Sequence, residues 1–241
     1  MEKITIPEGK KLKRTNICNF VLNADKIIAL PKIKTHSFMI MTLATKIMYG
    51  AIPGLTKAKY HSLFLKKSAF ADMLLDVLSI RPPDLFIMDG IIGMQGDGPA
   101  GGEPVDLGII LASEHAIAMD LAVCDMLGIE PIGIPTLRQA KIRNLWPTTI
   151  VYPLLSPQDA KYRGFRLPST ADYLITGKKT PHRNPIPTDK CTACGQCVEI
   201  CPKMVIRIIN QKAQIDYSKC VRCYCCAEIC PYKAIDLEIF R

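Results

Sequence analysis

The chain has 241 residues, 49% of them hydrophobic and 22% charged, with a formal net charge of +9. That is enough apolar sequence for one large core or two smaller ones, and it excludes a disordered chain. It does not by itself argue for a nucleic-acid binder. Lys and Arg are dispersed, and the densest runs, Lys10 to Arg14, Lys66-Lys67 and Lys178-Lys179, read as solvated faces.

Taken in order, Met1 to Arg14 is polar and basic with no apolar signal region, and Lys3 to Ile6 suits one strand. Asp25 to Leu30 reads as a short buried strand that ends at Pro31. Met39 to Tyr49 suits a helix closing at Gly50 and Pro53. Thr56 to Ser79 carries Tyr60, Leu63, Phe64, Phe70, Leu74, Val77 and Leu78 at helical spacing, and Arg81-Pro82-Pro83 stops it. Asp84 to Asp89 is a second buried strand, Gly90 to Pro104 a glycine-rich loop, and Leu107 to Leu111 a third strand. Ser113 opens a helix through Met126 with Gly128 beyond its end. Thr136 to Gln139 forms a capping box for another that ends at Trp146-Pro147. Thr149 to Leu155 is a fourth strand. Strands alternate with helices, so the class is α/β with a largely parallel sheet and flanking helices. Residues 1–156 form that domain. Residues 157–188, rich in proline with one apolar patch at Tyr173 to Ile175, read as a linker that drapes over one domain or both.

Residues 189–241 are organised by cysteine. Cys191, Cys194, Cys197 and Cys201-Pro202 repeat as Cys220, Cys223, Cys226 and Cys230-Pro231, which is C-x2-C-x2-C-x3-C-P written twice. This is the spacing of a bacterial two-cluster ferredoxin, in which the fourth cysteine of each run ligates the other cluster. Cys191, Cys194, Cys197 and Cys230 are therefore assigned to one [4Fe-4S] cluster, and Cys220, Cys223, Cys226 and Cys201 to the second. Zinc or disulfides are the competing reading, but zinc sites use two C-x2-C pairs and not two runs of three. Met204 to Ile209 and Ala213 to Ile215 suit a small hairpin within an α+β ferredoxin-like domain. Each cluster with its four thiolates contributes roughly −2, so the loaded chain is nearer +5, that is +9 less 2 and 2. Reduced thiolates imply a cytoplasmic protein of an anaerobe. Of the three remaining cysteines, Cys18 and Cys124 read as core residues, and Cys225, beside a ligand, as an ordinary packed residue.

In the first domain Pro31-Lys32-Ile33-Lys34-Thr35-His36 follows the first buried strand. An extended backbone projects Lys32, Lys34 and His36 to one side and Ile33 to the other. Beyond a strand's carboxyl end, where open α/β sheets bind ligands, such a set suits a phosphate or carboxylate, and Lys46 can join it. Surface lysines at a solvated strand end are the plainer alternative. His61 reads as a packed histidine; His115 and His182 show nothing specific. Gly96 to Gly101 matches G-x-G-x-x-G, but Pro99 and Pro104 argue against the helix that a dinucleotide fingerprint must open. It reads as a loop that lines a site with Asp89 and Gly90. No P-loop, G-x-S-x-G or H-E-x-x-H is present in the sequence.

Leu30 to His36, Thr45 to Gly50, Pro53-Gly54, Tyr60-His61 and the Asp89 to Gly102 loop together resemble the family called domain of unknown function 362, whose members often carry a C-terminal ferredoxin-like module. Compared with that family the chain starts near its middle. The resemblance implies that Lys32, Lys34, His36 and Lys46 line a site; it implies no reaction. The expectation is an iron-sulfur protein passing electrons through two [4Fe-4S] clusters to or from an anionic substrate or cofactor, with Lys34, His36, Lys46 and Asp89 as catalytic candidates and Lys32 and Gly90 completing the anion site. The alternative is a non-enzymatic carrier or subunit that docks a redox partner protein. Neither nucleic acid nor a membrane is expected as a partner.

Overall fold

The structure, a computed structural model, describes residues 1–99, 101–171 and 183–239. The Tyr173 to Ile175 patch, Lys178-Lys179, Pro181 and His182 lie outside the described residues. Among the described residues no helix is long and apolar enough to cross a membrane.

An N-terminal ribbon, β1 (Glu2–Thr5) against β2 (Arg14–Ile17), leads through a short helix α1 (Asn19–Asn23) to β3 (Ile28–Ala29), β4 (Lys32–His36) and β5 (Ile40–Met41). Then come α2 (Gly54–Leu63) and α3 (Lys67–Leu78), a long hairpin of β6 (Leu85–Asp97) and β7 (Gly101–Ser113), α4 (Ala116–Leu127) and α5 (Pro135–Ile142). The ferredoxin part holds β8 (Arg183–Pro187), α6 (Gln196–Ile200), β9 (Ile206–Ile209), β10 (Lys212–Ile215), α7 (Cys225–Ile229) and β11 (Ile235–Ile239). The α/β class stands. In the main sheet β3 and β4 both run parallel to β6, while β5 and β7 pair antiparallel to β4 and β6.

Residues 90–104 are not the expected loop. They belong to the hairpin, whose strands pair from Phe86 with Ser113 to Asp97 with Gly101. The register slips between Gly90 and Ile92 against β7, and between Lys32 and Lys34 against β4, where Lys32 faces Asp89 but Lys34 already faces Met94. The strand bends there, and two glycines make room for the crossing chain. A Cβ on Gly90 would lie 2.7 Å from Ile33 Cδ1 and 2.9 Å from Ile109 Cγ2; one on Gly93 would lie 3.1 Å from Ile33 O. Gly90 is thus a packing residue at a bend. Gly90→Ala is expected to cost about 1–3 kcal/mol through overpacking. Denaturant unfolding followed at Trp146, the chain's single tryptophan, measures it, and an unchanged midpoint refutes it.

Three other expectations need correction. Met39 to Tyr49 is not a helix, because His36 Nδ1 accepts from the Phe38 and Met39 amides at 3.1 and 3.2 Å and turns the chain into β5. A 3-10 turn follows at Ile47–Ala51. The Thr56 to Ser79 pattern is two helices: the chain breaks at Phe64, whose ring packs on Tyr60, and leaves Leu63 and Leu65 exposed. Thr149 to Leu155 is not a strand. It lies beside β7 without a ladder, with Val151 and Leu154 exposed, and Pro147 and Pro153 have no amide proton to give.

Two buried clusters hold the α/β part. One joins Ile33, Phe86 and Met88 of the sheet to Met119, Val123 and Leu137 of α4 and α5. The other joins Ile17, Met39, Tyr49 and Tyr60 to Phe70, Met73 and Val77 of α3. Asp76, fully buried on α3, ties the N-terminal loop down. Its carboxylate accepts from the amides of Lys10, Lys11 and Leu12 at 2.7–2.9 Å and from Arg143 Nη1 at 2.9 Å.

The connection to the ferredoxin part is not slack. Ala160, Tyr162, Phe165 and Leu167 pack on the first cluster, and Ala171 is buried in it. Arg183–Pro187 lies inside the stretch read as linker, yet it is a strand paired with Ile235–Ile239. A lone strand leaves its ladder groups unpaired, and this pairing gives Ile235–Ile239 its partner.

Candidate functional site

The two cysteine runs fold alike. Ala193 and Gly195 in the first run, and Arg222 and Tyr224 in the second, all have positive φ (56°, 80°, 55° and 63°), as do Met204 and Lys233 (53° and 48°) after each Cys-Pro. The sequence repeat is therefore also a backbone repeat, down to left-handed turns that cost non-glycine residues energy. α6 and α7 start right after these turns and carry Cys197 and Cys226 inward, both buried. Cys191, Cys194, Cys197 and Cys230 ring one cavity, with Ile208, Ala213 and Ile235 between them. Cys201, Cys220, Cys223 and Cys226 ring a second, with Val205, Ile206 and Ile215. Each set takes three cysteines from one run and the fourth from the other, and the apolar filling suits an inorganic cluster with thiolate ligands. The amides of Ala213 and Ala234 point at Cys191 Sγ and Cys230 Sγ at 3.4 and 3.3 Å, contacts that raise a cluster's potential.

Beside the second set lies a larger cavity of about 570 Å3. The α/β domain supplies Lys32, Lys34, Lys46, Lys57 and His61; the ferredoxin part supplies Ile200, Cys225, Glu228 and Ile229. Leu30, Leu43, Ile47 and Tyr49 give it apolar walls. β4 delivers Lys32 and Lys34 from alternate positions, with Ile33 buried between them. Lys46 rides a loop pinned by α4: Asp120, buried, accepts from the Ala44 and Thr45 amides at 2.8 and 3.1 Å. Burial pushes the Asp120 carboxyl up to about 7. Gly54, Lys57, Ala58 and His61 come from one face of α2.

The cations differ in their partners. Lys32 Nζ is paired with Asp89 Oδ2 at 2.5 Å, and Lys57 Nζ donates to Gly50 O at 3.1 Å. Among the described residues the Lys34 and Lys46 ammonium groups have no partner within bonding distance. Burial pushes Lys46 down to about 8; Glu228 opposes the shift and Lys34 adds to it. His61, against the Phe70 ring at 4.6 Å, is lowered to about 4 by burial, and its Nδ1 is buried without a partner.

His36 lies beneath this floor and not in it. With Nδ1 accepting two amides, its proton is on Nε2, which faces Glu228 Oε1 at 3.2 Å across the domain boundary, at a poor angle for a hydrogen bond. Burial keeps this imidazole neutral, with Lys46 adding to the effect. Burial opposes ionisation of Glu228 as well, but the facing His36 side chain first, and Lys46 after it, hold its carboxyl down at about 2. His36 is thus a structural link between domains.

Of the predicted site residues, the structure brings together Lys32, Lys34 and Lys46, and leaves out Asp89, which accepts from Lys32 and from the Ile91 amide, and Gly90. Lys57, His61, Cys225 and Glu228 were missed. The spacing 54, 57, 58, 61 was a legible helical face; nothing in the sequence marked Cys225 or Glu228, whose role comes from docking.

The comparisons with known proteins agree with this division. Residues 186–234 match the 4Fe-4S dicluster domain, which supports 4Fe-4S clusters and an electron-transfer role. The chain is similar to the thylakoid-associated protein sll1697 of Synechocystis sp. (strain ATCC 27184 / PCC 6803 / Kazusa), at 35% identity over 150 residues, covering 61% of this chain and 47% of that protein. The chain thus spans about half the length of the curated relative it matches. Residues 1–125, more than half of the 241, match the family described as domain of unknown function (DUF362), and the chain belongs to that family.

Proposed function

We propose that this protein is an iron-sulfur oxidoreductase component that passes electrons between two [4Fe-4S] clusters and an oxyanion-bearing small molecule held in the basic cavity. The first cluster would be held by Cys191, Cys194, Cys197 and Cys230, the second by Cys220, Cys223, Cys226 and Cys201. The clusters supply one-electron chemistry; the chain's own side chains supply binding. The observation that carries the reading is the pair of unpartnered ammonium groups, Lys34 and Lys46, in a half-enclosed cavity whose far wall, Ile200, Cys225, Glu228 and Ile229, belongs to the ferredoxin part. Two unpaired cations under partial burial are stabilised by a dianion more than by water. The apolar walls favour a ligand with a hydrophobic portion beside its phosphate or carboxylate. Lys32, held by Asp89, and Lys57 add to the positive field.

A redox partner protein is part of this reading, since the clusters must exchange electrons with something outside the chain. Reduced thiolates support the cytoplasm as the compartment. The thylakoid association of the relative supports a partner at a membrane face.

The test is binding of sulfate, a dianion whose charge is constant above neutral pH, to anaerobically loaded protein by calorimetry. Lys34→Ala and Lys46→Ala are each expected to weaken it at least tenfold, on the order of 1.4 kcal/mol. Because the Lys46 pKa is lowered to about 8, its charge is present below that pH and lost above it. Wild-type affinity should therefore fall by up to tenfold per pH unit above about 8, and Lys46→Arg should abolish that slope. Sulfate binding that is unaffected by all three variants refutes the site. Zinc in place of iron refutes the cluster reading.

A further inference from the structure

Cys225 lines two cavities at once: the basic one, and the one ringed by Cys201, Cys220, Cys223 and Cys226. No residue is shared between the basic cavity and the one ringed by Cys191, Cys194, Cys197 and Cys230. That other cavity has its own opening to solvent, since Cys194 is exposed and Tyr232 is 51% exposed beside it. Cys225 itself is 7% exposed. It is the one cysteine of the ferredoxin part outside both runs, and its neighbours Ile200, Glu228 and Ile229 complete the same wall.

We infer that the cluster of Cys201, Cys220, Cys223 and Cys226 is the one that exchanges electrons with the occupant of the basic cavity, that the cluster of Cys191, Cys194, Cys197 and Cys230 is the outer one that meets an external carrier, and that Cys225 is the positioning residue between inner cluster and ligand. This rests on the reading of the basic cavity as a ligand site. In the reducing direction an external one-electron carrier protein would lose one electron to the centre that Cys191, Cys194, Cys197 and Cys230 would hold, and the ligand would gain one from the centre that Cys201, Cys220, Cys223 and Cys226 would hold. The carrier would end oxidised and the ligand reduced by one electron, with no bond made or broken in the relay.

Cys225 acts on this order by its place: among the described residues lining the two cavities, it is the one common to the inner cluster's cavity and the ligand's. The cavity's lysines line the ligand side of that shared wall, so their charge bears on the inner cluster more than on the outer one.

The experiment needs no ligand. Loaded protein is titrated redox-wise under anaerobic conditions while the hyperfine-shifted cysteine β-proton signals report each cluster separately. Iron content, roughly eight per chain, confirms loading of every variant. Lys46→Glu, which reverses a charge in the basic cavity, is expected to move the inner cluster to a more negative potential and to leave the outer one nearly in place. Cys225→Ser, which puts a hydroxyl into the shared wall in place of the thiol, should change the inner potential alone, with Cys225→Ala as the apolar control; a merely structural role would not single out one cluster. The inference is overturned if the outer cluster moves as much or more, or if neither moves. Sulfate binding is read separately. Its absence, with the potentials moving as stated, would sink the oxyanion reading and leave the cluster order standing.

Discussion

Replacing Cys201 by alanine is expected to destroy the cluster of the other cysteine run. Cys201 follows Cys191, Cys194 and Cys197 in sequence, but the cavity it lines is that of Cys220, Cys223 and Cys226. Iron should fall from about eight to about four per chain, and the surviving cluster should be the one with Cys191, Cys194 and Cys197 as ligands. Double variants make the crossing decisive. Cys201→Ala with Cys226→Ala removes two ligands of one cluster, so about four irons should remain. Cys201→Ala with Cys197→Ala removes one ligand from each, so both clusters should be lost. The reverse pattern would mean that each run serves its own cluster. The effect is large because a site this small has little else to hold it: the buried cluster of the ferredoxin part is built from Ile206, Ala213, Ala227 and Ile235 around the cysteines themselves. Metal binding and folding are then one process.

The largest expected effect on the α/β domain is that of Asp76→Ala. The carboxylate is fully buried and accepts from three backbone amides and from Arg143. Its removal leaves the loop amides without an acceptor and takes the 2.9 Å carboxylate partner from a half-buried guanidinium, which keeps only Asp72 O at 3.2 Å and the more distant Asp72 carboxylate. Breaking a buried pair of this kind costs about 3–5 kcal/mol, a large share of a domain's stability. Denaturant unfolding read at Trp146, whose Nε1 donates to Leu137 O at 2.8 Å within the same domain, should show it. A loss below about 1 kcal/mol would mean that water replaces the carboxylate. Asp76→Asn should recover only part of the loss, since its amide nitrogen faces donors.

The sequence made different parts of this molecule legible to different degrees. The cysteine runs were readable as a 4Fe-4S dicluster domain because cluster geometry dictates their spacing. The alternation that placed Lys32 and Lys34 on one side of β4 held, because a strand's period is two whatever surrounds it. His36 keeps that alternation in register but is buried, and points its Nε2 at Glu228 instead of into the cavity. The β6–β7 hairpin was hidden because its glycines mimic a loop. They are needed where Ile33 crosses, and only the crossing reveals that. The loop that presents Lys46 was hidden for a related reason: it is held by Asp120, 75 residues away from Thr45 in sequence. Glu228 and Cys225 join the site through the packing of one domain on another, which local pattern does not encode.

The tip of the hairpin has one more consequence. Asp97 Oδ1 accepts from the Ser169 amide and hydroxyl at 2.7 and 2.6 Å, and Oδ2 lies 3.7 Å from Arg183 Nη1. Gly96 N donates to Arg166 O, and Gly98 O accepts from Ser37. One turn thus contacts both the stretch that ends the α/β part, at Arg166 and Ser169, and the first strand of the ferredoxin part, at Arg183. The spacing from the basic cavity to the cysteine loops is then set by these contacts. On the proposed reading, electron exchange across it would behave as tunnelling over a set distance, with a rate indifferent to solvent viscosity. A tethered carrier that had to swing and collide would slow as the medium thickened.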